Sequence, residues 1–457
     1  MPPQQSEDSL DEPLLRQPPP RQSKNVNLTL LYTALAFGGR SIWSQSVLAT
    51  FIFLVKDEVE AVGFLTAIMG IAQLITSFPS GVLADRHRRD SLLKVASGVG
   101  MMAIVATIGA CYQQSYVFLA AALSIWGCFW GIANTSISAL FADSIHDGDR
   151  SFYFTRRFIL ITVGNTVGPL VSLMLFACLG DEWTVHDCAI VMSIGQIVCF
   201  PAVILLCFFN DDDIPQAPST QSDPLIPPIA ETTEPDSDGE TSTGVTPDPE
   251  SRVCPFIAPH RVIPVLVTTA DLLSGLGSGM SIRYFPIFFV DSLHLSPIAV
   301  QVLYVVAPMF QASFMTLGQH LSKRIGRCAV SVYLKWIGIC LMFGMIASYS
   351  LGAPRWLVCT FYILRTGSMN STGALTRSVL MDNVPKEERG KWSALESVNM
   401  FSWSGSACIG GILIGFVGIL PLFAVTAAIQ FFATLPLLVL AGRDREHTEE
   451  DSGEGES

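Results

Sequence analysis

Twelve apolar stretches of roughly 20 residues, separated by short polar turns, leave this chain one kind of environment to fold in. At 1.5 Å of rise per residue, such a stretch crosses a hydrocarbon core of about 30 Å as a helix. The stretches fall near 27–55, 61–83, 91–112, 114–140, 155–179 and 187–209, then near 261–290, 297–319, 328–350, 355–378, 393–418 and 421–441. Of 457 residues, 50% are hydrophobic and only 14% charged, and the mean hydropathy is +0.46. That composition excludes an ordinary soluble domain and predicts an all-α membrane protein with twelve transmembrane helices. The first 25 residues are polar and Pro-rich, so no secretory leader is expected and the first span acts as its own insertion signal.

Residues 210–259 divide the spans six and six. The expected organisation is a disordered tail over 1–25, a six-helix bundle over 26–209, an acidic disordered linker over 210–259, a second bundle over 260–441 and an acidic tail over 442–457. The tails and linker hold about 22 of the 39 acids and about 6 of the 27 Lys and Arg, so the net charge of -12 belongs to them. Within the bundles, basic residues gather in the turns after spans 2, 4, 8 and 10, among them Arg86, Arg88, Arg89, Arg150, Lys323, Arg324, Arg327, Lys386 and Arg389. The alternate turns carry only Lys56 and Arg355, which predicts cytoplasmic termini and a cytoplasmic linker. Asp11-Glu12-Pro13-Leu14-Leu15 is similar to an acidic dileucine sorting signal, so the plasma membrane and an endosomal or vacuolar membrane both stay open. The eleven cysteines show no metal-type spacing; Cys178 and Cys188 flank a polar turn and would bridge only if it faced an oxidising compartment.

The basic turns repeat. Gly81-Val82-Leu83-Ala84-Asp85-Arg86-His87-Arg88-Arg89 follows span 2, and a worn copy, Gly318 to Arg327, follows span 8. Asp143 through Arg150 after span 4 has the Asp-to-Arg spacing of Asp382 through Arg389 after span 10, at an offset of about 239 residues. Two turns agreeing at nearly one offset indicate internal duplication. The pattern Gly-x-Leu-Ala-Asp-Arg-x-x-Arg resembles the loop signature of the major facilitator superfamily of transporters. Gly164-Asn165-Thr166-Val167-Gly168-Pro169 is similar to the core of that superfamily's antiporter motif, and Asp382 to Trp392 is similar to its turn after span 10.

The resemblance covers roughly residues 27–441 and implies two pseudo-symmetric six-helix bundles rocking about a midplane site, driven by a solute or proton gradient. It also implies that spans 1, 4, 7 and 10 line the cavity, and that Asp85, Arg86 and Arg89 form a cytoplasmic gate against the start of span 11. Asp143, Arg150, Arg157, Asp382, Arg389 and Glu396 join that gate by position in the repeat, with Arg157 and Glu396 as a candidate ion pair between the halves. Three departures bear on function. Arg88 stands where the signature usually has Gly, Lys323 replaces the acid in the second copy, and Gly127 occupies the place where proton-coupled drug antiporters carry an arginine.

Ionisable residues within spans are costly in lipid and mark cavities or partners. Arg40 in span 1, Asp271 in span 7 and Arg365 in span 10 fall within several Å of the midplane, and Trp126, Asn134 and Asn370 are further candidates to shape a site there. Arg283 lies nearer the outer end of span 7, a position for an outer gate, and Lys335 in span 9 reads as a peripheral residue that snorkels or pairs structurally. Gly164, Gly168 and Pro169 form either a hinge or a close-packing seam. Neither a nucleotide loop nor a hydrolytic triad is found, which counts against a primary pump and against an enzyme, and no cofactor or metal is expected. The expected partners are a small-molecule substrate, a coupling proton and the bilayer, with no nucleic acid and a monomeric state.

Two guanidiniums against one deep carboxylate favour an organic anion as substrate. A proton-coupled exporter of amphipathic drugs, a sugar transporter and a transport-dead nutrient sensor remain the alternatives.

Overall fold

The computed structural model describes residues 23–145, 150–213, 262–384, 402 and 405–453; the side chains of residues 85, 150–151, 381 and 443–453 are outside that description. Among the described residues the chain is helical throughout, with no strand. In the first half the elements are α1 (Lys24–Ser44), α2 (Val47–Lys56), α3 (Glu60–Arg86), α4 (Arg89–Gln113), α5 (Tyr116–Asp143), α6 (Arg150–Leu179) and α7 (Val185–Leu205). In the second they are α8 (Val262–Ile282), α9 (Phe285–Ile287), α10 (Pro297–Ile325), α11 (Arg327–Ser350), α12 (Arg355–Asn370), α13 (Gly373–Asp382), α14 (Gly405–Val417) and α15 (Ile419–Gly453).

Nine of these helices are long and apolar enough to cross a membrane. The remaining spans are interrupted or only partly described, so the arrangement is that of twelve. Span 1 is α1 followed by α2, broken at Gln45–Ser46, and span 10 is α12 followed by α13, broken at Ser371–Thr372. Span 7 breaks as α8 gives way at Arg283–Tyr284 to α9 and then to one π turn at Phe288–Ser292. The breaks in spans 1 and 7 occupy equivalent places in the two halves.

The turns on the side away from the chain ends, called here the far side, carry the caps expected at helix starts. Ser115 accepts from the Phe118 N–H, Thr184 from Asp187 and Ser296 from Ala299, with Pro297 at the first helical position of α10. Helix pairing repeats as the sequence does. α3 packs on α5 as α10 packs on α12, α1 on α7 as α8 on α15, and α4 on α5 and α7 as α11 on α12 and α15. Each half closes around an aromatic cluster. Trp43, Trp126, Phe129 and Trp130 fill the first, and Phe285, Phe288, Phe289, Tyr362 and Phe423 the second. Large apolar residues such as Ile75, Phe78, Val105 and Met174 are exposed on the outer faces, where a bilayer would cover them.

Cys178 and Cys188 are both free, the first exposed and the second buried, so the turn between them is not bridged.

Candidate functional site

On the side of the chain ends, the tail side, the two halves carry the same ion pair. Arg89 Nη1 lies 2.5 Å from Asp143 Oδ2, and Arg327 Nη1 lies 2.5 Å from Asp382 Oδ2 and also reaches Ser378 Oγ. In each half the cation that opens one helix grips the acid that closes another. Asp143 and Asp382 therefore pair within their own bundles. The side chains of Asp85 and Arg150 and the whole of Arg389 and Glu396 lie outside the described residues. Arg86 is exposed, and Arg157 reaches Ser138 Oγ at 3.5 Å with its guanidinium over the Phe141 ring at 5.4 Å.

The first residues assigned to the linker belong to the first bundle. Asp211 accepts the backbone N–H of Arg89 at 2.9 Å and so caps α4, and Arg88 donates to Asp212 at 2.9 Å, to Asp90 at 3.1 Å and to Asn210 at 3.2 Å. Asn25 donates to the Asn210 carbonyl at 2.7 Å and accepts from its N–H at 3.3 Å. The hydrogen bonds from Arg88 to Asp212 and Asp90 hold that guanidinium above its ordinary pKa. These bonds cap the start of α4 and tie residues 210–212 to the starts of α4 and α1. Residues 214–261 lie outside the description.

In the middle of the first bundle, the Arg40 guanidinium carbon sits 4.8 Å from the centre of the Trp130 ring. Trp126 lies in the core of the first bundle. It is 1% exposed, packed against Trp43, Phe129 and Trp130, and its Nε1 donates to Thr107 Oγ1 at 3.1 Å, so it is a core residue that backs the one holding the arginine. Asn134 is half-buried one turn beyond Trp130, and Asn370 is exposed at the end of α12, its carbonyl accepting from Gln311 at 3.4 Å.

The other two expected charges stay in the second bundle with separate partners. Arg365 is 6% exposed; its guanidinium lies 5.3 Å over Phe285 and 3.5 Å from Gln430 Oε1, and its Nε has no partner among the described residues. Gln430 passes the contact on, donating to Ser278 Oγ at 3.0 Å. Asp271 stands beside Thr376 and lies within electrostatic reach of Lys335 and Arg377. Lys335 is 4% exposed and donates to Ser274 Oγ at 3.2 Å, so it points into the bundle and is not peripheral. A buried ammonium with a carboxylate nearby is stable where an ammonium in lipid is not.

A polar seam joins the halves on the far side. Arg283 Nη1 donates to the Ser44 carbonyl at 2.8 Å, Gln301 to Ser46 Oγ at 2.8 Å, Trp183 to the Leu295 carbonyl at 2.9 Å and the Ile298 N–H to Asp181 at 2.8 Å. The first two bonds land at the break between α1 and α2, where helix-end carbonyls need donors.

Gly164, Gly168 and Pro169 lie in α6, which runs unbroken past the proline. A Cβ on Gly168 would sit 2.0 Å from Ser41 Oγ and 2.4 Å from the Ser41 carbonyl carbon, so only glycine lets α6 close on α1. Ser41 Oγ then reaches the Gly164 carbonyl at 2.7 Å. Pro169 cannot donate to the Asn165 carbonyl, and Gln45 Nε2 does so instead at 2.7 Å. The motif is a packing seam in this arrangement, with its missing hydrogen bond supplied by the neighbouring helix.

A family model described as "Major Facilitator Superfamily" matches residues 29–408 and again 267–457. The chain belongs to the Major Facilitator Superfamily. The second match starts in the second bundle, in keeping with the repeat. The protein is accordingly a multi-pass integral membrane protein of a transporter superfamily whose members are not enzymes. Among solved structures, a bacterial homologue of the iron transporter ferroportin in its inward-facing state has a TM-score of 0.66 at 14% identity, covering 91% of this chain and 98% of that one. The same homologue in its outward-facing state gives 0.57 at 14% identity, covering 92% and 99%. A D-xylose–proton symporter gives 0.66 at 15% identity, covering 90% and 96%. No curated protein sequence matches.

Within this superfamily member, sequence reasoning passed over Gln301, Tyr304, Tyr362 and Gln430. Only Gln301 and Gln430 left a signal, since an uncharged amide inside an apolar span needs a partner just as a charge does.

Proposed function

We propose that this superfamily member is a secondary active transporter of an organic anion, working by alternating access between its two bundles. The observation that carries the reading is the setting of Arg40 and Arg365. Each guanidinium is held by an aromatic face, and the polar partner of Arg365 is a neutral amide, whereas the deep carboxylate Asp271 lies beside Lys335 and Arg377. A guanidinium fork with no carboxylate partner among the described residues suits a carboxylate or phosphate ligand, and its field repels lipophilic cations. The seam at Arg283 and Gln301 is the closed far side of one of the two states, and the tail side, with both termini, faces the cytoplasm by the distribution of Lys and Arg. The iron named for one structural neighbour is not carried over, because among the described residues no group of His, Cys, Asp or Glu is suited to hold a metal ion.

A thermal-shift screen of purified protein against metabolite anions, sugars and amphipathic cations tests the substrate class, since a ligand of the native state raises its melting temperature. Anions should stabilise the wild type and lose that effect in Arg40→Ala and Arg365→Ala. Stabilisation by a cation that survives both changes would sink the assignment. Uptake of a stabilising anion into proteoliposomes separates a transporter from a transport-dead sensor, which would bind without flux.

A further inference from the structure

Two buried cations of the second bundle are held in opposite ways. Lys335 has the carboxylate of Asp271 within its electrostatic reach, whereas Arg365 has an amide, with Gln430 Oε1 3.5 Å from its Nη2. Gln430 stands on α15 and is 1% exposed, so its amide is withdrawn from water and both ends of it need partners. Its Nε2 donates to Ser278 Oγ at 3.0 Å, which leaves Oε1 as the end that faces the guanidinium. Here α15 comes close to α8 because residue 277 is glycine: a Cβ there would meet Gln430 Cγ at 3.3 Å and Ile429 Cγ2 at 3.2 Å. The guanidinium also lies 5.3 Å over the Phe285 ring, whose centre is 4.9 Å from that of Tyr362 and 4.6 Å from that of Phe423.

An amide and a carboxylate have the same shape and differ here by one charge. A glutamate at 430 would pair with Arg365 and neutralise it inside the bundle, whereas glutamine accepts from the guanidinium and leaves its charge in place. An apolar residue would leave Nη2 without its acceptor and the long side chain free to take other rotamers. The Nε of Arg365 is buried with no partner among the described residues, a donor that a bound anion could meet. Ser278 and Phe285 stand on span 7, Arg365 on span 10 and Gln430 on span 12. All belong to one bundle, so the arrangement travels as a unit when the bundles rock.

We propose that Gln430, anchored by Ser278, is a positioning residue that aims Arg365 and keeps its charge available, so that the site selects an anion. This rests on the organic-anion reading above and adds to it the residues that set the charge the site presents. Arg365 touches the substrate; Gln430 and Ser278 act through it.

The test follows melting of the purified full chain against rising inorganic phosphate, succinate or benzoate, in the wild type and in Gln430→Glu, Gln430→Met and Ser278→Ala. At least one probe should stabilise the wild type. Gln430→Glu should melt no lower than the wild type in probe-free buffer, because a guanidinium that is already buried gains a counter-charge. It should nonetheless need about tenfold or more of the probe for the same shift, since a fixed carboxylate then competes with the ligand for Arg365. Gln430→Met should show the reverse, melting lower in probe-free buffer and needing about fivefold more probe or less. Ser278→Ala, which frees the amide to turn, should weaken the shift in the manner of Gln430→Met. If Gln430 served packing alone, Gln430→Glu would melt below Gln430→Met and the two would respond alike to the probe; that pattern, or a Gln430→Glu chain that does not fold where Gln430→Met does, would overturn the proposal. A wild-type shift kept in full by Gln430→Glu would remove the proposal and leave the anion reading standing. No shift of the wild type with any of the three probes would overturn that reading and the proposal with it.

Discussion

Arg327 holds Asp382 at 2.5 Å in the second half at the places where Arg89 holds Asp143 in the first. The acids are 58% and 45% exposed at the side chain, so neither pair can be a large source of stability. Asp143→Asn and Asp382→Asn should each lower stability by no more than about 1 kcal/mol. Because the pairs belong to different bundles, the double variant should show the sum of the two shifts. Melting curves in detergent would check this, and a double variant far below the sum would mean that the pairs are coupled through contact between the halves.

Asp271 and Lys335 predict a different pattern, since Lys335 is buried and Asp271, half-buried, is the carboxylate within its electrostatic reach. Asp271→Asn removes the carboxylate that offsets a buried ammonium and should cost about 1 to 3 kcal/mol, whereas Asp271→Asn with Lys335→Met should recover most of it. If the carboxylate also carries the coupling proton, the double variant will fold yet transport without dependence on pH. A double variant that keeps its pH dependence would confine the pair to a structural role.

Gly168→Ala should be the most damaging small change in the first bundle. The added carbon meets backbone as well as side chain of Ser41, so a loss of about 3 kcal/mol or failure to accumulate is expected. Gly38→Ala on the facing helix meets nothing within 4 Å and should be neutral or slightly stabilising. Equal effects of the two would contradict the seam between α1 and α6.

Deleting most of residues 215–250 should leave insertion and folding intact, because that stretch is too polar and charged to form a core and a shorter connection still joins the bundles. Asp211→Ala, by contrast, removes the cap of α4 and should cost about 1 kcal/mol. Protease protection in membranes would show the first, and thermal melting the second.

The spans, the duplication and the family were legible because long apolar runs and charged turns are properties of neighbouring residues. The contacts of the candidate site were less so. Asp271 and Lys335 stand on the seventh and ninth spans, and nothing local to either says that one lies within electrostatic reach of the other; Lys335 looked peripheral because only the packing of α11 turns it inward. Trp126 and Trp130 share one face of α5, and the sequence could not say that the first would be buried under the second. The Asp residues at 211–213 matched the disorder composition of the stretch that follows, and their capping of α4 depends on where the end of α7 is carried. The seam at Ser44 depends on a helix break that Ser and Gln permit but do not require.

The donor that Gln45 lends to Asn165 also bears on how the protein is made. Behind Pro169 the helix α6 has a carbonyl that it cannot satisfy by itself, and in lipid such a group finds no water. The fifth span leaves the ribosome more than a hundred residues after the first, so α1 must already be in the bilayer and still reachable when α6 arrives. Biogenesis is then ordered: an insertion machinery that released the first span too early would leave the fifth with an unmet polar group, and Gln45→Leu should appear as slow or incomplete maturation of newly made chains before it appears as any fault in the finished protein.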